Sequence, residues 1–113
     1  MVQNDVFENL RQELRRGSLT LAVLAHLKVE RHGYALRRSL AGDGMEIDEG
    51  ALYPMLRRLE SQGLLLSEWR EQDRRNKRFY RLSEAGAATL DRLVAEWGAI
   101  NTSLVRIFEG DPS

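Results

Sequence analysis

Residues 48–63 read Asp48-Glu49-Gly50-Ala51-Leu52-Tyr53-Pro54-Met55-Leu56-Arg57-Arg58-Leu59-Glu60-Ser61-Gln62-Gly63, and their spacing decides the fold. Leu52, Met55, Leu56 and Leu59 recur at helical spacing and predict one buried stripe. Glu49, Tyr53, Arg57 and the Glu60-Ser61 pair fall on the opposite, solvent-facing side. Asp48 is a good N-cap, because its carboxylate accepts from the free amides of the first turn. Gly63 stands where a helix reverses into a left-handed residue. Pro54 breaks the pattern: in a helix starting at Glu49 its ring meets the carbonyl of Gly50. Either the first turn is tight or bent at Gly50, or the helix starts later.

Upstream, Tyr34, Leu36 and Leu40 predict a short helix stopped by Gly42-Asp43-Gly44, with His32-Gly33-Tyr34 packing and capping its start. This helix, the break and the helix at 49–62 make a helix-turn-helix pair. Before it, Leu19 to Val29 is apolar nearly all round and predicts a central buried helix capped by Ser18. Val6, Phe7, Leu10 and Leu14 predict a separate amphipathic N-terminal helix ending near Arg16-Gly17. Downstream, Leu64 to Trp69 reads as a strand, Glu71 to Lys77 as a charged loop, and Arg78 to Leu82 as a returning strand. Ser83 caps a last helix with Glu84 in its first turn. The expected class is mainly α with a small β-hairpin: a winged helix-turn-helix (residues 1–82) followed by a C-terminal dimerisation helix (residues 83–113).

In a winged helix-turn-helix the second helix of the pair enters the major groove with its N-terminal part toward the base edges. The candidate contacts there are Glu49, Gly50, Tyr53, Arg57 and Arg58. The two arginines suit phosphate, or guanine through a bidentate contact. Carboxylates offset them, so the loop must supply much of the affinity: Arg74, Arg75, Lys77 and Arg78 suit phosphate contact or minor-groove insertion. Arg15, Arg16, Ser18 and Tyr34 complete the expected DNA-binding set.

Formal net charge is zero over 113 residues, yet Arg11 to Arg81 carries a net +5 and the remainder a net −5. Distribution rather than sum governs partner choice, and a basic middle with acidic ends fits a DNA face and a separate second face. The 42% hydrophobic and 30% charged composition excludes a largely disordered chain. No cysteine is present, which removes disulfides, Cys-based zinc sites and a Cys nucleophile. With no HExxH pattern, no metal or cofactor is expected, and no nucleophile–base pair suggests an enzyme. The apolar run Leu19 to Leu27 is too short to span a bilayer, and the N-terminus lacks a signal-peptide pattern. A cytoplasmic protein without a membrane partner is expected.

Several blocks, in order and at this spacing, resemble the PadR family of transcriptional regulators. They are Arg16-Gly17-Ser18-Leu19, His32-Gly33-Tyr34, the stretch from Glu49 to Leu64, and Arg78 to Gly86. The resemblance runs over nearly the whole chain. It implies the winged-helix fold, a homodimer and repressor activity, and, for the single C-terminal helix, the family's short subclass. Pro54 belongs to the family pattern, which implies the bent first turn. Asp48 and Ala51 stand where the family often has Ser or Thr, a departure that bears on sequence preference.

In the last helix, Leu90, Trp97 and Leu104 take heptad position d, Val94, Asn101 and Phe108 position a, and Leu93, Ile100 and Ile107 widen the stripe. So apolar a face needs a partner: the N-terminal helix through Val6, Phe7, Leu10 and Leu14, the same helix of a second chain, or both. Asn101 either sets register across the dimer or is an exposed polar side chain. Trp97, at the predicted seam, is either packing or the seat of a planar aromatic effector. The reading is thus a homodimeric repressor of a double-stranded DNA operator; the alternative is a winged-helix protein-interaction module that does not bind DNA.

Overall fold

The computed structural model describes residues 2–110, with side chains from residue 5 onward. Met1 and residues 111–113, which close the two expected segments, lie outside the described residues. The order is α1 (Val2–His26), β1 (Arg31–His32), α2 (Gly33–Gly42), α3 (Glu49–Ser61), β2 (Leu65–Gln72), β3 (Arg75–Leu82) and α4 (Glu84–Glu109).

The two N-terminal helices expected from sequence are a single helix, α1. Gly17 costs only about 1 kcal/mol relative to alanine inside a helix. The apolar positions flanking it keep one helical register, and those after it, Val23, Leu24 and Leu27, are anchored in the core. Ser18 is therefore a mid-helix residue and caps nothing. Arg31-His32, for which the sequence predicts no strand, is a short strand paired with Tyr80 and Phe79, so the sheet has three strands in the order β1-β3-β2. Two residues are too few to show an alternating pattern.

The hairpin is also longer than expected. β2 and β3 stay paired from Leu65↔Leu82 out to Gln72↔Arg75, leaving only Asp73-Arg74 as the turn. Both residues have positive φ, 54° and 64°, as a two-residue type I′ turn requires. The charged sequence hid these strands because a ladder hydrogen-bonds through its backbone and needs no apolar face where both faces meet water.

Apart from Ser18, the caps fall where the sequence placed them. Asp48 Oδ1 accepts from Ala51 N at 2.8 Å and Ser83 Oγ accepts from Gly86 N at 2.9 Å. His32 Nδ1 accepts from Ala35 N at 3.3 Å. Helix α3 starts at Glu49 despite Pro54, so the later start is excluded. Its first turn is tight: the Asp48 carbonyl accepts from both Ala51 N (3.2 Å) and Leu52 N (2.9 Å). Gly63, at φ 81°, ends the helix in the left-handed region.

One core joins Val23, Leu24 and Leu27 of α1 with Leu36 and Leu40 of α2. Leu52, Met55, Leu56 and Leu59 of α3, Leu65 and Tyr80 of the sheet, and Leu90 of α4 complete it. The start of α4 is pinned to the end of α3: Ser83 Oγ donates to Gly63 O at 2.6 Å and Ser83 N donates to Leu64 O at 3.0 Å. Gly86 lies so close that a Cβ there would sit 2.0 Å from the Leu64 carbonyl oxygen. Beyond Leu90, α4 leaves the core and lies beside α1. Among the described residues, no helix is long and apolar enough to cross a membrane.

Candidate nucleic-acid interface

Helix α3 buries its four apolar residues and leaves Glu49, Gly50, Arg57 and Arg58 exposed. Tyr53 is half-buried. Its ring lies against Gly33, where a Cβ would stand 2.5 Å from the phenolic oxygen. A side chain at the first residue of α2 would displace the Tyr53 ring from this position. The acidic start of α3 is compensated by Arg37, which donates to Glu49 Oε1 at 3.1 Å and to the Ile47 carbonyl at 3.2 Å. The same turn is gripped from α1, where Arg15 donates to the Glu46 carbonyl at 2.9 Å. Arg15, expected to contact the DNA backbone, is thus fastened to the turn between α2 and α3.

The wing divides the basic residues expected to act together. Arg78 is taken up internally: it donates to Glu60 Oε1 at 3.0 Å and to Ser67 Oγ at 2.9 Å, while Ser67 Oγ donates to Glu60 Oε2 at 2.5 Å. This clamp ties the wing to the last turns of α3 and leaves the partly exposed Arg78 paired within its own chain, at the edge of the cleft between α3 and the wing. Arg70 pairs with Glu30 and, at 3.1 Å, with Glu68, and lies over the Phe79 ring. Lys77 donates to Gln72 at 3.2 Å. Arg74 and Arg75, at the tip, are exposed and form no ion pair among the described residues.

Tyr34 is exposed at the start of α2, with the Arg38 guanidinium 5.8 Å from its ring centre. A cleft of about 260 Å³ separates α2 and α3 from the wing, with Tyr34 and Tyr53 on one side and Trp69, Asn76 and Lys77 on the other. Beside it, burial and then the nearby Lys77 ammonium hold the His32 imidazole below its ordinary pKa. The neutral ring is the form that can accept the Ala35 amide proton. Burial, the leading cause, pushes the Tyr80 hydroxyl up, so it stays protonated.

Ser18, expected on the DNA side, lies elsewhere. With Leu21 of α1 and Leu93, Trp97, Ile100 and Leu104 of α4 it lines a cleft of about 550 Å³. Arg16 is exposed on α1. Of the expected dimer residues, Leu90 is buried in its own chain's core, which fixes the root of α4. The others remain uncovered: Val6, Phe7 and Leu10 on α1, and Leu93, Val94, Trp97, Ile100, Leu104 and Phe108 on α4. Asn101 Nδ2 donates to the Trp97 carbonyl at 2.9 Å, within its own helix. Sequence reasoning passed over Arg37, Arg38 and Trp69. The first two formed an adjacent basic pair in a short helix; Trp69 was read only as a strand residue. Among the described residues, no cluster of His, Cys, Asp and Glu could hold a metal.

A helix-turn-helix pair flanked by a three-stranded sheet whose β2–β3 hairpin forms the wing defines a winged-helix domain. The chain belongs to the PadR-like family of transcriptional regulators, whose family profile matches residues 21–92. It is 42% identical over 80 residues to Transcriptional regulator Rv3488 of Mycobacterium tuberculosis, covering 70% of this chain and 75% of that one. A PadR family transcriptional regulator from Eggerthella lenta superposes with a TM-score of 0.91 at 38% identity, over 98% of this chain and 99% of that chain. A PadR-like transcription factor from Bacteroides fragilis superposes with a TM-score of 0.75 at 29% identity, over 88% of this chain and 98% of that one.

Proposed function

We propose that this chain represses transcription in the cytoplasm as a homodimer on a palindromic duplex operator, and that a planar aromatic effector seated against Trp97 releases it. Residues 1–82 carry DNA recognition and residues 83–113 pair the subunits. One observation carries the DNA reading. The free face of α3 and the wing flank a single open cleft, and Arg57, Arg58, Arg74 and Arg75 stand on those two elements without ion-pair partners among the described residues. Arg57 and Arg58 reach base edges or phosphate in the major groove, and the wing-tip arginines reach the neighbouring backbone. Arg16 and Tyr34 add phosphate contacts.

The pairing reading rests on the uncovered stripe. Trp97 is 52% exposed, Phe108 76% and Phe7 65%, on helices that share one cleft. Apolar surface in one continuous stripe is costly in water and is covered when the same helices of a second copy pack on it. A two-fold dimer presents two α3 helices to half-sites about one helical turn apart.

Selection of duplexes from a random pool, followed by a salt titration, tests the DNA reading. The expected result is an enriched palindrome whose affinity falls steeply with salt. A protein that binds no duplex and enriches nothing is instead an interaction module. The effector reading predicts emission quenching by a planar aromatic that survives Trp69→Phe and is lost on Trp97→Phe. No response across a broad panel contradicts it.

A further inference from the structure

The wing carries a largely exposed aromatic, Trp69. In the β2–β3 ladder Leu65 faces Leu82, Ser67 faces Tyr80 and Trp69 faces Arg78, so these side chains share the sheet face that packs toward α3. Along this face burial falls away. Leu65 and Tyr80 are 1% and 4% exposed, but Trp69, beyond the Arg78 clamp, is 63% exposed. Its ring is held in place: the Arg78 guanidinium lies 5.6 Å from the ring centre, and that guanidinium is itself fastened to Glu60 and Ser67. An indole that is anchored yet uncovered forms one wall of the cleft between wing and α3. The opposite wall is Tyr34 and Tyr53, and Lys77 and the clamped Arg78 supply positive charge. No carboxylate lines this cleft.

We propose that this cleft seats one sugar–phosphate segment of bound duplex DNA, with the Trp69 ring packed on the deoxyribose and Lys77 and the Tyr34 hydroxyl on the phosphate. The inference rests on the DNA reading above. If α3 lies in the major groove and the wing tip on the next groove, the strand between those grooves must cross the gap between the two elements. That gap is this cleft. Its chemistry suits the occupant: an apolar ring for the sugar face, and a cation and a hydroxyl for the phosphate. Trp69 thereby contributes affinity through apolar contact rather than ion exchange, so its removal leaves the salt dependence unchanged.

The test uses the full chain labelled with 5-fluorotryptophan, whose two fluorine resonances are assigned by the loss of one in Trp69→Phe. The probe is a duplex of about 30 base pairs, long enough for two half-sites a turn apart, taken from the random-pool selection. On saturation the Trp69 resonance is expected to move and to lose its H2O-to-D2O solvent shift. Trp69→Ala, whose exposed position should leave the melting temperature unchanged, is expected to weaken binding on the order of tenfold with an unaltered salt slope. Trp69→Phe should recover most of that loss. A complex that forms, by anisotropy of the labelled duplex, while the Trp69 resonance and its solvent shift stay fixed overturns the inference and leaves the DNA reading standing. A Trp69 resonance that moves with protein concentration alone assigns the cleft to a second copy of the chain and also overturns it. Absence of binding to any duplex overturns the DNA reading and this inference with it.

Discussion

The double variant Arg74→Gly, Arg75→Ala isolates the electrostatic role of the wing without damaging the wing. Arg74 occupies the left-handed region at φ 64°, where a side chain is disfavoured by roughly 1–2 kcal/mol and glycine is not. The substitution should therefore stabilise the turn, and a loss of binding cannot be ascribed to unfolding. Each phosphate contact contributes a slope of about −0.9 in log affinity against log salt. Two arginines on each of two wings amount to four contacts, so the dimer's slope should flatten by roughly 3.6. Between 50 and 200 mM salt the difference in affinity between parent and variant should then shrink on the order of 100-fold. Anisotropy titrations of a labelled duplex at several salt concentrations measure this directly. The double lysine variant at 74 and 75 should keep the parental slope. If the Gly/Ala variant keeps that slope too, the wing tip does not touch phosphate and the division of labour between α3 and the wing is wrong.

Three further predictions concern how the site is held. Gly86→Ala places a Cβ against the Leu64 carbonyl oxygen, a backbone atom that cannot swing aside; it should cost about 3 kcal/mol and lower the melting temperature by roughly 10 °C or more. An unchanged melt would mean that the start of α4 is not pinned there. Glu60→Ala releases Arg78 and Ser67 together; stability should fall by about 1–3 kcal/mol, and amide exchange in the wing strands should quicken more than in α2. The His32 pKa is depressed in the folded chain, so the unfolded chain takes up the proton first as pH falls. That stability is fully present above the unfolded value of about 6.5 and is lost as pH drops through the folded one. Denaturant midpoints measured from neutral pH down to pH 5 should fall more for the parent than for His32→Asn, which keeps a capping acceptor but does not titrate; equal slopes would refute this.

Reading the sequence recovered what hydrophobic period and capping chemistry control. The buried stripe Leu52, Met55, Leu56 and Leu59 and the caps Asp48 and Ser83 stand where expected, because each is fixed by residues within a turn or two. Errors arose where weak local signals met longer-range ones. Gly17-Ser18 looks like a helix boundary locally, but the apolar register on both sides carries α1 through it. The outer halves of β2 and β3 have no buried face and so no alternation to read. The family resemblance, carried by the block from Glu49 to Leu64, proved correct. The roles of individual cations were least legible. Arg15, Arg70 and Arg78 look like Arg74 and Arg75 in sequence, but they meet the Glu46 backbone carbonyl and the Glu30 and Glu60 carboxylates, partners that only the folded chain brings near.

Recognition of a palindrome requires two copies of the chain, paired through α1 and α4, to present two α3 helices to one duplex. The mass of the complex formed with a selected palindromic duplex, measured by light scattering coupled to size exclusion, tests this directly. Two 13.0 kDa chains per duplex are expected, and a single chain per duplex once the palindrome is cut to one half-site and Trp97→Glu breaks the pairing. One chain on the intact palindrome, or a duplex that elutes without protein at low salt, would contradict it.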